Sequence, residues 1–405
     1  MSRSTLPEGE LSEGSQFQGP RRWEAIRTAL LDDFYKPDIE AAQALFASVA
    51  AHRIVDHPPA WNMLIAPSGS MKTALLETLR GLPSVHCPDE FTQNTLISGK
   101  LDDRPRKQES TKEQGSVKVP IPASLLNRIG DEGILMIADF STILGLDKNK
   151  RQTILSQLRR IYDGNFSREF GTSENLPDRK WKGHITILAG VTPEFDKYHS
   201  VSAVLGERFI RTRWPRAGGP EAAMAAMRQK TSAAVAVRSK VHEFLLPILR
   251  EKTIPAPRIE EKDLLRIANL GEFVVLARTP TKRERATHEL EDLPDPEGNT
   301  RFPQQLAQIG RGWTALMGRE AMTEEAMQLI FRVAFDSIPP SRYQVLRSLM
   351  RGESPYAPDS THTVVERGID DLQAVGLVTK PKGKGRAALS ELAIQLLAGA
   401  KAGLG

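Results

Sequence analysis

Trp61-Asn-Met-Leu-Ile-Ala66-Pro67-Ser68-Gly69-Ser70-Met71-Lys72-Thr73-Ala-Leu-Leu76 is the stretch on which the reading of this chain turns. Trp61 to Ala66 is a short unbroken apolar run, which predicts a buried strand; Pro67 to Ser70 breaks it, and a helical run from Lys72 to Leu82 follows. A loop that cradles phosphate needs a tight turn with inward N–H groups, a lysine for the β/γ-phosphates and a hydroxyl for Mg2+. Gly69, Lys72 and Thr73 supply these, and Pro67, Ser68, Ser70 and Met71 complete the loop. Against G-x-x-x-x-G-K-[ST], Ala66 stands for the first glycine and Met71 for the second. Met71 is expected to strain the loop, because glycine adopts the required backbone more easily. The alternative is a plain Gly/Ser turn followed by a solvated lysine.

A second apolar strand, Gly133 to Ala138, ends in Asp139, the placement expected of a carboxylate that holds the Mg2+ water shell opposite the Thr73 hydroxyl. Phe140 follows where a water-orienting glutamate would be expected. Glu90, just beyond a short strand at Ser84 to Cys87, is the candidate to replace it; otherwise Asp89 and Glu90 cap a loop or helix. A further strand, His184 to Ala189, runs on to Thr192, a polar strand end suited to the terminal phosphate or the attacking water. Then come Leu205-Gly-Glu-Arg208-Phe209, in which Arg208 is the candidate for a guanidinium that stabilises phosphoryl charge from a neighbouring subunit. The alternative is a surface salt bridge of Glu207, and Arg211, Arg213 and Arg216 compete for the finger role.

Unbroken apolar strands alternating with helices such as Arg151 to Tyr162 predict an α/β core with a parallel sheet covered on both faces. With 405 residues, 40% of them hydrophobic, the chain is expected to form two or three folded units. The divisions expected are a tail at 1–20, the α/β core at 21–218, a helical lid with its connection at 219–338, and a last unit at 339–405. Lys100 to Lys118 carries ten charged residues of nineteen and reads as an insertion. No run of 18 apolar residues occurs, the start is acidic rather than basic and apolar, and Cys87 is the single cysteine. A cytoplasmic protein with no membrane partner is the expectation. The net charge of +5, from 55 basic and 50 acidic residues, has meaning only where it is concentrated.

It is concentrated near the end of the chain. A short apolar face at Tyr343, Leu346 and Leu349, a helix from Thr363 to Ala374 and strands at Gly376 to Thr379 and Ala387 to Leu389 form the pattern of a winged helix. Its wing, Lys380-Pro-Lys382-Gly-Lys384-Gly-Arg386, places four cations in seven residues, suited to DNA phosphates. The alternative is a winged fold used for protein contact. His362, Arg367 and Asp370 are mixed in charge and do not point to base-specific reading.

Taken in order, these motifs resemble an AAA+ ATPase over roughly residues 40 to 320. They are similar in particular to the minichromosome-maintenance-like branch and to bacterial and mobile-element ATPases, through Asp139-Phe-Ser-Thr, Ile161-Tyr-Asp-Gly164, Ala189 to Pro193 and Leu205 to Phe209. The resemblance implies ATP and Mg2+ as ligands, a homo-oligomer such as a hexameric ring, and a projecting hairpin at Leu101 to Pro120. It also implies a second hairpin bearing Arg168, Arg179, Lys180 and Lys182 toward DNA, and Arg301 as the lid's sensor arginine. The activity implied is that of a DNA-stimulated, helicase-like motor. The alternative is an ATP-switched regulator or loader that recruits a replication protein; a plain winged-helix transcription factor would leave the nucleotide site unused.

Overall fold

The computed structural model describes residues 18–88, 91–92, 95–96, 101–102, 121–122, 124–168, 179–198, 207–228, 231–284, 290–291, 294–356, 361–381 and 386–400. At its centre is a parallel sheet of five strands: β1 (Trp61–Ile65), β2 (Val85–His86), β3 (Glu132–Ile137), β4 (His184–Val191) and β5 (Phe209–Arg213). They lie in the order β2-β3-β4-β1-β5. The expected strand segments are all present with slightly shifted ends. β5 was read in the sequence only as a row of arginines, yet it pairs with β1 from Trp61↔Phe209 to Ile65↔Arg213.

Side chains alternate across the sheet with the period of two that a strand imposes. Leu64, Ile134, Met136, Leu188 and Ile210 face one core, while Met63, Ile65, Leu135, Ile137, Ile187 and Ala189 face the other. Both faces are covered, which is why these strands are apolar throughout rather than half polar.

The helices on the first face come from both ends of the chain. α1 (Gln18–Asp33) and α2 (Ile39–Ala51) precede the sheet, and α1 begins inside the span expected to be tail. α3 (Lys72–Glu77) follows β1 and is shorter than expected, since the chain tightens into successive turns from Thr78. α4 (Lys148–Tyr162) covers the second face, with Asp147 capping its first turn through Lys150 N.

α5 (Thr231–Arg250), α6 (Glu261–Arg278), α7 (Arg301–Leu316) and α8 (Glu324–Asp336) make up the expected helical region. They share one continuous buried core with α1, α2 and the first face of the sheet. Trp23 of α1 meets Trp313 of α7 edge to face at 5.0 Å and Phe46 of α2 at 6.3 Å, so aromatic contacts join the two ends of the chain.

α9 (Pro340–Met350), α10 (His362–Ala374), an antiparallel ribbon of Val378–Thr379 with Ala388–Leu389, and α11 (Glu391–Ala400) form the last part. α11 lies on α6, with Arg266 Nε donating to the Ala400 carbonyl. Two further ribbons leave the sheet: Leu101–Asp102 with Ile121–Pro122, the base of the charged insertion, and Asn165–Arg168 with Arg179–Lys182. Residues 103–120 and 169–178 lie outside the described residues. Among the described residues no helix is long and apolar enough to cross a membrane.

An ion-pair ladder fixes the edge strand. Arg213 holds both oxygens of Asp196 at 2.8 Å, and its backbone N–H donates to Asp336 at 2.8 Å. Arg332 on α8 contacts Asp336 at 3.0 Å, Asp38 at 2.7 Å and the Arg213 carbonyl at 2.8 Å. The edge of β5 is thereby occupied rather than open. Replacing Arg332 with Met leaves Asp38 and Asp336 buried without their cation. We expect a loss of about 2–4 kcal/mol in urea unfolding with unchanged cooperativity.

Candidate nucleotide site

The loops after β1, β3 and β4 meet at the carboxyl edge of the sheet, where α/β sheets bind ligands. In the first loop Ser70 N donates to the Pro67 carbonyl at 3.2 Å, and Gly69 at the third position has φ +74, as in a type II turn. Met71 has φ −70, a conformation open to any residue, so the expected strain is absent. Its side chain instead packs against the first core. Pro67 is half-buried, Ser68 and Gly69 are exposed, and the Ser70 hydroxyl is buried without a hydrogen-bond partner.

Lys72, the first residue of α3, is 7% exposed. Its stem lies along Gly190 of β4: a Cβ built on Gly190 would sit 3.3 Å from Lys72 Cδ, 2.5 Å from the Ala138 carbonyl and 2.8 Å from Leu76. Burial pushes the ammonium below its usual range, and the Asp139 carboxylate opposes that shift. Lys72 and Asp139 therefore feel each other without forming an ion pair, and among the described residues no other carboxylate pairs with the ammonium. Thr73 is exposed beside it.

Asp139 is exposed, and its Oδ1 accepts from Ser141 N at 2.9 Å. The next residue, Phe140, is fully buried and packs against Phe209 at 6.0 Å, while its N–H donates to the Gly190 carbonyl at 2.7 Å. The position after the aspartate thus points into the second core, and an acid there would be buried away from the loop. Thr192 follows β4, and its N–H donates to Ser141 Oγ at 3.4 Å, so the Asp139 and Thr192 segments are joined directly. Gly190 and Ser141 were not singled out in the sequence; a glycine inside an apolar strand is the signal for such a close approach.

The oxygen donors, Thr73 and Asp139, are of the kind that suits Mg2+. Among the described residues no cluster of three or more His, Cys, Asp or Glu forms a complete cage. A metal here would depend on further oxygens from a bound phosphate. Glu90 lies outside the described residues.

Arg208 occupies the opposite edge of the sheet, just before β5. It is 5% exposed, its Nη2 contacts both oxygens of Asp163 at 3.0 and 3.1 Å, and it stacks over Tyr162 at 5.3 Å. Arg301, at the start of α7, faces the same ring at 5.8 Å. Burial pushes the Tyr162 phenol up to about 12, with Arg301 and Arg208 pulling against it, so both guanidinium groups face a neutral ring. Arg208, the finger candidate, is paired with its own chain's Asp163, whose side chain remains 55% exposed. Glu207 pairs with Arg211 at 2.9 Å, and Arg213 belongs to the ladder described above.

Of the basic candidates, Lys180 and Lys182 are exposed on either side of buried Trp181, whose Nε1 donates to the Gly130 carbonyl at 2.8 Å. Arg179 pairs with Arg168 in the same ribbon. On the second ribbon Lys380 is engaged by Glu366, which also accepts from the Tyr356 hydroxyl, and Arg386 is exposed. Lys382 and Lys384 lie outside the described residues. The nucleotide-site candidates Lys72, Thr73, Asp139 and Thr192 thus gather at one edge, and Arg208 and Arg301 at the other.

Comparison with models of known protein families and with curated proteins finds no match for this chain.

Gly190→Ala would drive a methyl group into the Ala138 carbonyl. We expect it to cost roughly 1–3 kcal/mol in chemical denaturation, whereas Ala189→Gly nearby would act through lost packing and the added freedom of the unfolded chain, with no clash.

Proposed function

We propose that this chain is an ATP-dependent, DNA-associated ATPase of the AAA+ kind, acting as an oligomeric ring and carrying a C-terminal winged helix. The observation that carries the proposal is Lys72 at the carboxyl edge of β1: its side chain is largely buried, its ammonium forms no ion pair among the described residues, and Asp139 and the left-handed turn at Gly69 stand nearby. A partly desolvated lysine left unpaired is stabilised by an anion that joins it. A triphosphate is the anion that a strand-turn-helix loop of this kind accommodates.

In this reading Lys72 contacts the β/γ-phosphates, and the N–H groups of the Gly69 turn line the loop. Thr73 and Asp139 would hold Mg2+, which when bound bridges phosphate oxygens and neutralises their charge. Thr192, tied to Ser141, orients the terminal phosphate or the water. Glu90 remains the candidate base, since Phe140 is committed to the core.

Arg208 and Arg301 lie near the amino end of β1, whose five residues span about 16 Å at ~3.3 Å each. They are too far away to serve their own chain's loop, and this supports completion of the site by a neighbouring subunit. Support for DNA as the partner comes from the exposed Lys180 and Lys182 and from the helix, helix, ribbon order of the last unit, whose wing carries Lys380, Lys382, Lys384 and Arg386. A second reading, an ATP-switched regulator or helicase loader, is favoured by one observation: the residue after Asp139 is buried and apolar, as suits slow hydrolysis.

Calorimetry is expected to show a Mg-ATP binding event that Lys72→Ala removes; the same binding events in both proteins would refute the loop. Single- or double-stranded DNA should raise turnover in the motor, whereas nucleotide-dependent assembly without such stimulation would assign the loader. Lys72→Ala and Arg208→Ala should each be inactive alone and regain part of the turnover when mixed. The absence of any recovery would rule out Arg208 as a residue supplied in trans.

The lowered Lys72 pKa sets an alkaline limit. Only the protonated amine attracts phosphate, so ATP affinity should begin to fall at a lower pH than an ordinary lysine would allow. Titration of Kd against pH checks this; Lys72→Arg, which stays charged, should lose that dependence.

A further inference from the structure

A cleft of about 430 Å³ opens between β5, the end of α6 and the last unit of the chain. Five arginines line it: Arg211, Arg278, Arg283, Arg342 and Arg367. Three carboxylates of the lining, Asp196, Glu207 and Asp371, face them, and Glu297 and Asp370 reach Arg278 and Arg283 from behind it.

Most of these cations are held rigidly. Arg342 donates to the carbonyls of Ala277 and Thr279, to the Thr281 hydroxyl and to Asp371. Arg283 contacts Asp371 at 2.6 Å. Arg278 differs. Its side chain is 1% exposed and lies over the Phe302 ring at 3.9 Å, and Glu297 takes its Nη2. Its Nη1 is 3.7 Å from Glu207, beyond hydrogen-bond distance, and both Nη1 and Nε are buried without a hydrogen-bond partner. Buried charged donors are costly to leave unsatisfied. Arg367 stands exposed at the same cleft.

We infer that this cleft binds a phosphate-bearing small molecule of about nucleotide size, at a site separate from the loop at Lys72. The volume falls within the range of small-molecule sites. Planar guanidinium forks match phosphate oxygens in pairs, and a cluster of them with Arg278 already flattened on an aromatic ring is pre-organised for an anion. Phe195, Pro280 and Val364 supply apolar walls for a ring or chain attached to the phosphate. The ligand would touch three parts of the molecule at once. Phe195 and Asp196 belong to the turn directly after Thr192, Arg278 ends α6, and Arg342 and Arg367 belong to the last unit. Binding there clamps the last unit against the turn that follows the candidate γ-phosphate contact.

The inference does not depend on ATP binding at the loop, and its test keeps the two apart. Inorganic pyrophosphate is titrated calorimetrically into the full chain carrying Lys72→Ala. One binding event is expected, weakened at least tenfold when Arg278→Met or Arg367→Ala is added. Circular dichroism checks each fold; should Arg278→Met unfold, the exposed Arg367→Ala decides. No binding event, or unchanged affinity in Arg367→Ala, overturns the site. Uptake of an oligothymidine but not of pyrophosphate also overturns it, by assigning the cleft to a nucleic-acid strand. Failure of wild-type protein to bind ATP would remove the loop reading and leave this result standing.

Discussion

Two adjacent residues of β4 set the geometry on which the candidate site depends. The Gly190 carbonyl accepts the N–H of Phe140, and the Val191 carbonyl accepts the N–H of Ala66. The segment after β3 and the loop after β1 are therefore hung from neighbouring points of the strand between them. Gly190 has no side chain to keep them apart, so the Ala138 carbonyl and the Lys72 stem close over its Cα. The backbone anchors of the two segments that carry Lys72 and Asp139 are thus set by hydrogen bonds to one strand. Anchoring of this kind favours electrostatic pre-organisation.

The same region departs from what a stable core would choose. Lys72 is buried without an ion pair, and the Ser70 hydroxyl is buried without a partner. Elsewhere buried cations are neutralised: Arg213 and Arg332 sit among Asp196, Asp336 and Asp38, and Arg211 pairs with Glu207. Lys72 has no carboxylate partner of this kind among the described residues, and Arg278 keeps Nη1 and Nε without a hydrogen bond although Glu297 and Glu207 flank it.

The parts of this arrangement legible in the sequence were those coded locally. The strands β1, β3 and β4 are predominantly apolar runs, and the turn at Gly69 with Lys72 behind it is a contiguous pattern. β5 was not legible, because Phe-Ile-Arg-Thr-Arg carries two cations in five residues. Arg213 is neutralised by Asp196, after β4, and Arg211 by Glu207, just before the strand. The shared core of α1, α2 and α7 was equally hidden, since nothing local says that Trp23 will meet Trp313. Arg208 illustrates the same limit at a single residue. The sequence marks it as a cation before an apolar run, but its partner Asp163 stands 45 positions earlier, in a motif that gave no sign of pairing.

That pairing bears on how the two edges of the sheet could cooperate. Asp163, whose two oxygens accept from Arg208 Nη2, is 55% exposed, so the pair reaches the surface although Arg208 itself is buried. The ion pair keeps the guanidinium in place over Tyr162 while no other anion is near. A phosphate brought up by a second copy would compete with Asp163 for the same cation and would carry more charge. Part of the stabilisation it gains would offset the lost ion pair. If a second copy presents its phosphate there, as proposed above, subunit contact and phosphate contact would depend on each other through the exchange of Asp163 for phosphate.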